Sequence, residues 1–234
     1  MEAVPPWGQS DLVARWGACQ KHMITALFDR APLWTRFHVR GRWRLFPFPS
    51  LLPYAPALGL AVDLGCGHGL LPFLLASKRP RLRVLGCDPD QAKIDLAQQL
   101  AQRHRLGNVQ FRCALAQNFD IPACDWVSLV DVLYLVPYAE QESLLRRAVS
   151  CLRPGGRLLV KEVRQRPAWK AALTRAQEVL SVRVLHLSVG HTFYFRTEEN
   201  WLALLSSLGL RVHAVPLDAG YLHPHVLFVA ERTP

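Results

Sequence analysis

Asp63 and three glycines on alternate positions, Gly65, Gly67 and Gly69, are the first residues whose types and spacing suggest chemistry. They lie in AVDLGCGHGLL (61–71), where an apolar run breaks into a glycine turn and resumes as a second apolar run. That pattern predicts a buried strand, a tight turn and a helix. Glycine reaches backbone angles closed to other residues and leaves no Cβ in a ligand's way. Asp63 is a carboxylate in an apolar setting. It needs a partner, so it either binds something or braces the loop. A second acid, Asp88, follows the next apolar run, where it can accept hydrogen bonds from a ribose diol. Leu70 stands where a dinucleotide fingerprint places its third glycine. A pyrophosphate therefore lacks its usual cradle, and a nucleoside without phosphates fits better. The same spacing disfavours a nicotinamide dehydrogenase.

Further along, Asp131 ends an apolar run and Glu162 ends another, while His191 falls in a segment of changed rhythm. Each could serve as an acid or base, and each could equally be a structural partner. His223 and His225 are expected in a hairpin loop, away from the glycine turn. The six cysteines (19, 66, 87, 113, 124 and 151) show no metal-ligand spacing, so no metal is predicted and free thiols are expected.

The elements that would position these residues follow from periodicity. Strands are predicted over 60–64, 82–87, 109–113, 126–133 and 157–163. The helices between them are 70–77, 90–105 and 140–152, the last stopped by Pro154-Gly155-Gly156. Strands separated by helices of this length indicate βαβ units and a parallel sheet. Beyond Val163 a helix is predicted over 167–180, an extended segment over 182–188, and a helix over 197–208 with Thr197 as N-cap. Two final strands, 210–215 and 226–231, have hairpin spacing. Residues 1–58 read as a helical and irregular cap, with a helix over 11–28 and prolines at 47, 49, 53 and 56. Residues 59–234 read as the main domain, with 164–196 as an insertion or lid on the acceptor side.

At 234 residues, half hydrophobic and one fifth charged, the chain has the composition of a water-soluble globular protein. No apolar run approaches a membrane span. The N-terminus lacks the features of a signal peptide, so cytoplasm is the expected compartment. The formal charge of +10 is spread along the chain, and 23 of the 28 basic residues are arginine. One cluster stands out: Arg36, Arg40, Arg42 and Arg44, interleaved with Trp34, Phe37 and Trp43. Such a cluster suits an RNA surface, a membrane face or an acidic substrate. It equally suits a partly packed cap whose arginines snorkel, the reading preferred on sequence.

Four segments, VDLGCGHG (62–69), GCDPD (86–90), VSLVDVLYLVP (127–137) and LRPGGRLLVKEV (152–163), recur in order over about 100 residues. Together the sequence resembles the class I S-adenosylmethionine-dependent methyltransferases of the compact small-molecule type. The resemblance implies a Rossmann-like α/β fold: a seven-stranded sheet, mostly parallel, whose last strand runs antiparallel. It implies S-adenosylmethionine as cofactor, with Asp63, Gly65, Cys66 and Gly67 along its methionine portion. Asp88 would hold the ribose and Pro89 would lie beside the adenine. Ala114 stands where the family has an acid, so Gln117 or Asn118 would contact the adenine amine instead. Asp131 would lie where donor and acceptor meet, Tyr134 could orient an acceptor, and Glu162 and His191 are the candidate bases.

Motifs of nucleic-acid amino-methylating and pyrimidine C5-methylating enzymes are absent. This favours a small acceptor, apolar or lipid-like, methylated at oxygen or carbon rather than nitrogen. The tryptophans Trp7, Trp16, Trp34, Trp43 and Trp169 could line its pocket, or simply pack in the core. A protein that binds the cofactor without transferring a methyl group, and an RNA methyltransferase, are the alternatives.

Overall fold

The computed structural model describes residues 23–163, 193–217 and 225–233. Its elements in chain order are α1 (Leu33–Leu45), a 3-10 turn (Phe48–Tyr54), β1 (Leu58–Leu64), α2 (Leu70–Lys78), β2 (Arg81–Asp88) and α3 (Gln91–Arg103). There follow β3 (Val109–Cys113), β4 (Cys124–Val130), a second 3-10 turn (Leu133–Leu135), α4 (Tyr138–Cys151) and β5 (Leu152–Val163). The C-terminal part adds α5 (Glu198–Ser207), β6 (Leu210–Pro216) and β7 (His225–Arg232). The strands form one sheet in the order β3-β2-β1-β4-β5-β7-β6. All neighbours are parallel except β7, which runs antiparallel to both β5 and β6. Strand order reverses between β1 and β4, so the crevice for a ligand opens at the carboxyl ends of these two strands.

The central strands are apolar on both faces because helices cover both. Val62, Leu64, Val127, Leu129, Leu158 and Val160 are fully buried, each stabilising the fold by about 1.5–3 kcal/mol. Helix α3 buries Ile94, Ala97 and Leu100 along one stripe. Its first turn is capped by Asp90, whose carboxylate accepts from the Lys93 N–H at 3.2 Å. Thr197 caps α5 in the same way, accepting from the Asn200 N–H. Helix α1 and the turn after it add Val39, Trp43, Phe46, Phe48 and Leu51 to the apolar cluster that holds Leu71, Phe73 and Leu74 of α2. Trp43 stacks on Phe48 with ring centroids 5.3 Å apart, so it is a packing residue.

Three expectations need correction. The fourth strand stops at Val130, and Leu133 belongs to a 3-10 turn. Helix α4 ends at Cys151, and Pro154-Gly155-Gly156 lies inside β5. Here Cys124 pairs with Leu152 and Trp126 with Arg157, so the proline-glycine segment is an irregularity within a continuing ladder. The arginine-rich stretch, for which no element was assigned on sequence, forms a regular helix over Leu33–Leu45. His225 opens β7 opposite Val163 and is buried, where a remote hairpin loop was expected. The predicted segments 167–180 and 182–188, and most of 11–28, lie outside the described residues.

Candidate active site

The turn after β1 is held from below by β2. The N–H groups of Gly65 and Cys66 both donate to the Cys87 carbonyl at 2.8 Å. The Gly67 N–H donates to one oxygen of Asp88 at 2.9 Å, and the Asp90 N–H donates to the other at 3.0 Å. Asp88 therefore braces the loop, and each of its oxygens keeps lone-pair capacity for a hydroxyl. Asp63 accepts from the Ser128 hydroxyl at 2.6 Å across the β1–β4 ladder. Complete burial pushes its carboxyl up to about 7, against the pull of the Ser128 hydrogen bond.

Two glycines have distinct duties. Gly67 has φ +56°, and a Cβ built there would meet nothing within 4 Å, so the space above the loop is open. Gly65 has φ +78°, and a Cβ there would lie 2.3 Å from Cγ2 of Val132. The loop thus presses directly on the turn that follows β4. Cys66 acts through its backbone: a Cβ on Gly86 would lie 2.9 Å from its sulfur, so the thiol faces β2. The open space at Gly67, the acid at the end of β2 and the absence of a phosphate cradle fit a nucleoside carrying a charged tail.

At the ends of β4 and β5 is a buried group of charges. Asp131 has left-handed backbone, φ +59°, uncommon for a residue with a side chain. Its N–H donates to the Lys161 carbonyl at 3.2 Å. One carboxylate oxygen pairs with the Lys161 ammonium. The other lies 2.9 Å from Arg42 of α1. Burial alone would raise its carboxyl, but Lys161 and Arg42 hold it well below the usual carboxylate range. Lys161 is itself drawn below the usual lysine range by desolvation, with Asp131 opposing. Phe46 packs its ring against the Lys161 ammonium and the His225 ring, and the His225 Nε2 lies 2.8 Å from the Leu45 carbonyl.

Glu162 is also buried, and desolvation together with the Asp131 charge pushes its carboxyl well up. It accepts from the backbone N–H groups of Leu133 and Tyr134, at the start of the second 3-10 turn. Its Oε1 makes no hydrogen bond among the described residues. Tyr134, Phe193 and Phe195 form an aromatic group, with the Tyr134 and Phe195 rings stacked at a centroid distance of 5.3 Å. The Tyr194 N–H donates to the Tyr134 carbonyl.

The geometry thus brings Asp63, Gly65, Cys66, Gly67 and Asp88 to one loop, and Asp131 and Glu162 to the neighbouring strand ends. Pro89 is exposed next to them, and its carbonyl accepts from the Cys113 thiol. Ala114 adjoins Asp88 through its N–H. Gln117 is turned to Glu140 at 3.2 Å, and Asn118 is exposed on the same loop. His191 lies outside the described residues. Sequence reasoning missed Ser128, Lys161, Arg42 and the His38–His68 contact. Lys161 carried a signal, a cation beside Glu162 inside the apolar run LLVKEV, whereas the partners of the other three are long-range.

Residues 61–156 match the family model described as a methyltransferase domain. The chain is 29% identical over 200 residues to the trans-aconitate 2-methyltransferase of Acidovorax ebreus, covering 70% of this chain and 73% of that one. It is 25% identical over 195 residues to a tRNA N(3)-methylcytidine methyltransferase of Drosophila melanogaster, covering 78% of this chain but 60% of the relative's length. The fold is similar to magnesium protoporphyrin IX methyltransferase of Synechocystis PCC 6803 with bound SAH: TM-score 0.61, 18% identity, covering 99% and 90% of the two chains. The matched segment and the fold are similar to those of the class I S-adenosylmethionine-dependent methyltransferases. Their cofactor, S-adenosylmethionine, is the nucleoside with a charged tail that the loop geometry fits.

Proposed function

We propose that this protein transfers the methyl group of S-adenosylmethionine to oxygen or carbon of a small apolar or aromatic acceptor. The observation that carries this reading is the aromatic group Tyr134, Phe193 and Phe195, joined to buried Glu162 through the Tyr134 backbone N–H, with the Glu162 Oε1 making no hydrogen bond among the described residues. An apolar wall with one buried polar atom suits an acceptor with a flat ring or chain and a single hydroxyl or acidic C–H. Asp63, Gly65, Cys66 and Gly67 would hold the methionine part of the cofactor, Asp88 its ribose, and Pro89 with Gln117 or Asn118 its adenine. When bound, the cofactor supplies an electrophilic methyl group on a sulfonium. The chain's own contribution is then largely alignment and exclusion of water. Arg42, anchored on Asp131, holds the cap over the strand ends, and Glu162 orients the acceptor's proton through Oε1. Its raised carboxyl makes it a proton acceptor only as pH rises.

The relative that methylates trans-aconitate supports a small acceptor, by analogy. The fly relative and the basic character of the chain favour a second reading, methylation of RNA. The test is to supply cofactor labelled in its methyl group, with phenols, hydroxylated lipids, carboxylic acids and bulk tRNA as separate acceptors. Label entering small apolar acceptors supports the proposal, and label entering tRNA alone supports the second reading. Cofactor binding without any transfer would make the chain a binding protein.

A further inference from the structure

We propose that the outer face of helix α1 docks on an anionic lipid surface. The helix has two faces with different duties. Val39 and Trp43 face the core, His38 contacts His68 of the glycine loop at 5.2 Å, and Arg42 reaches Asp131. The opposite face carries Leu33, Trp34 and Phe37, exposed by 79%, 51% and 70%. Side chains three and four residues apart share a helix face, so Leu33 and Phe37 lie in line, continued by Arg40 and Arg44. Trp34 stacks on Phe37 at 5.8 Å and widens the apolar end. Arg30 is exposed just before the helix.

Large apolar side chains exposed together, rimmed by charge, mark an interaction surface. The charge pattern selects the partner. Helix α1 holds four arginines and no acid. Of the acids paired with the helix, Asp131 meets Arg42 on the core side at 2.9 Å, and Asp29 is neutralised by Arg40 at 3.3 Å. An apolar patch with arginine at its border is what inserts among acyl chains while guanidinium groups meet phosphates. RNA is the weaker match: Trp34 and Phe37 stack on each other rather than standing apart to receive bases, and exposed Leu33 has no role in stacking. No helix among the described residues is long and apolar enough to cross a membrane, so the contact is with the surface. This inference does not rest on methyl transfer.

The experiment is co-sedimentation of the full chain with vesicles of phosphatidylcholine alone or mixed with phosphatidylglycerol. The wild type is expected to sediment with the mixed vesicles, much less with the neutral ones, and less as salt rises. Leu33→Ser with Phe37→Ser should abolish sedimentation without changing the melting temperature. Arg44→Gln, which leaves the apolar patch intact, should weaken it about fivefold. Four results would overturn the proposal: no sedimentation with either vesicle, equal sedimentation with both, self-association that Phe37→Ser abolishes, or tRNA binding lost in the same variants.

Discussion

Arg42 of the cap helix lies 2.9 Å from the carboxylate of Asp131, which sits in left-handed backbone at the end of β4. This contact joins the N-terminal segment to the strand ends where donor and acceptor would meet, and Lys161 completes it from β5. Removing Asp131 leaves a fully buried ammonium without its anion. Asp131→Ala should therefore destabilise the fold by about 3–5 kcal/mol. Arg42→Ala, at a partly exposed arginine that leaves the Lys161 pair intact, should cost about 1 kcal/mol or less. Urea unfolding of the two variants compares these losses, and equal losses would refute the hierarchy.

Gly65 and Gly67 should fail differently. A side chain at Gly65 collides with Val132, so Gly65→Ala should lower stability by about 1–3 kcal/mol, and Val132→Ala should restore part of it. A side chain at Gly67 projects into open space. Gly67→Val should therefore abolish cofactor binding, its cost in stability of about 1–3 kcal/mol coming from the left-handed backbone rather than from a collision. Calorimetric titration alongside thermal melts separates the two. Unimpaired binding by Gly67→Val would show that the cofactor lies elsewhere.

Cofactor affinity should depend on pH through Asp63. Its folded pKa is raised from 3.8 to about 7, so the free protein keeps this proton through most of that interval. Stability from this group is present below pH 4 and lost as pH rises through about 7. A cationic ligand beside Asp63 favours the anion, so affinity should rise from pH 6 to 8, with a proton released on binding. Ser128→Ala removes the bond that lowers the carboxyl and should move the transition to higher pH. Calorimetry in buffers of different ionisation enthalpy counts the proton, and a flat profile would remove Asp63 from the cofactor contacts.

His38 and His68 should make the cap acid-sensitive. Burial, then the neighbouring charges of Arg42 and Lys93 for His38, and the His38 ring and Lys93 for His68, bring both imidazoles from 6.5 to about 4. The unfolded chain binds these protons first, so stability is full above pH 6.5 and is lost as pH falls towards 4. Asp63 and Glu162, both raised, act in the opposite direction over that range, so the imidazole contribution is read as a difference between proteins. As pH falls from 6.5 to 4, the urea midpoint of wild type should fall relative to that of the double variant His38→Gln, His68→Gln, and parallel profiles would refute the assignment.

Much of the fold could be read along the chain because its causes are local. The apolar runs of β1 to β5 and the cap at Thr197 appear where periodicity and side-chain type put them. Errors arose where pairing overrode local chemistry. Pro154-Gly155-Gly156 has the residues of a stop, yet the ladder with β4 carries the strand across it. The glycine loop with Asp63 and Asp88 was legible because its spacing is a local signal. Arg42 facing Asp131 and His225 facing Phe46 were not, because each joins segments far apart in sequence. The outward turn of Trp34 and the inward turn of Trp43 likewise follow from which face α1 lays on the core.

The central claim is tested most directly by methyl transfer itself, with Glu162→Gln as the control. Wild-type protein given methyl-labelled S-adenosylmethionine and a panel of hydroxylated aromatic and apolar acceptors should pass label to at least one of them. Its rate should rise with pH. Glu162→Gln should bind the cofactor normally and transfer about 10²-fold or more slowly. Saturable cofactor binding with no label leaving it for any small acceptor, or Glu162→Gln as fast as wild type, would contradict the account.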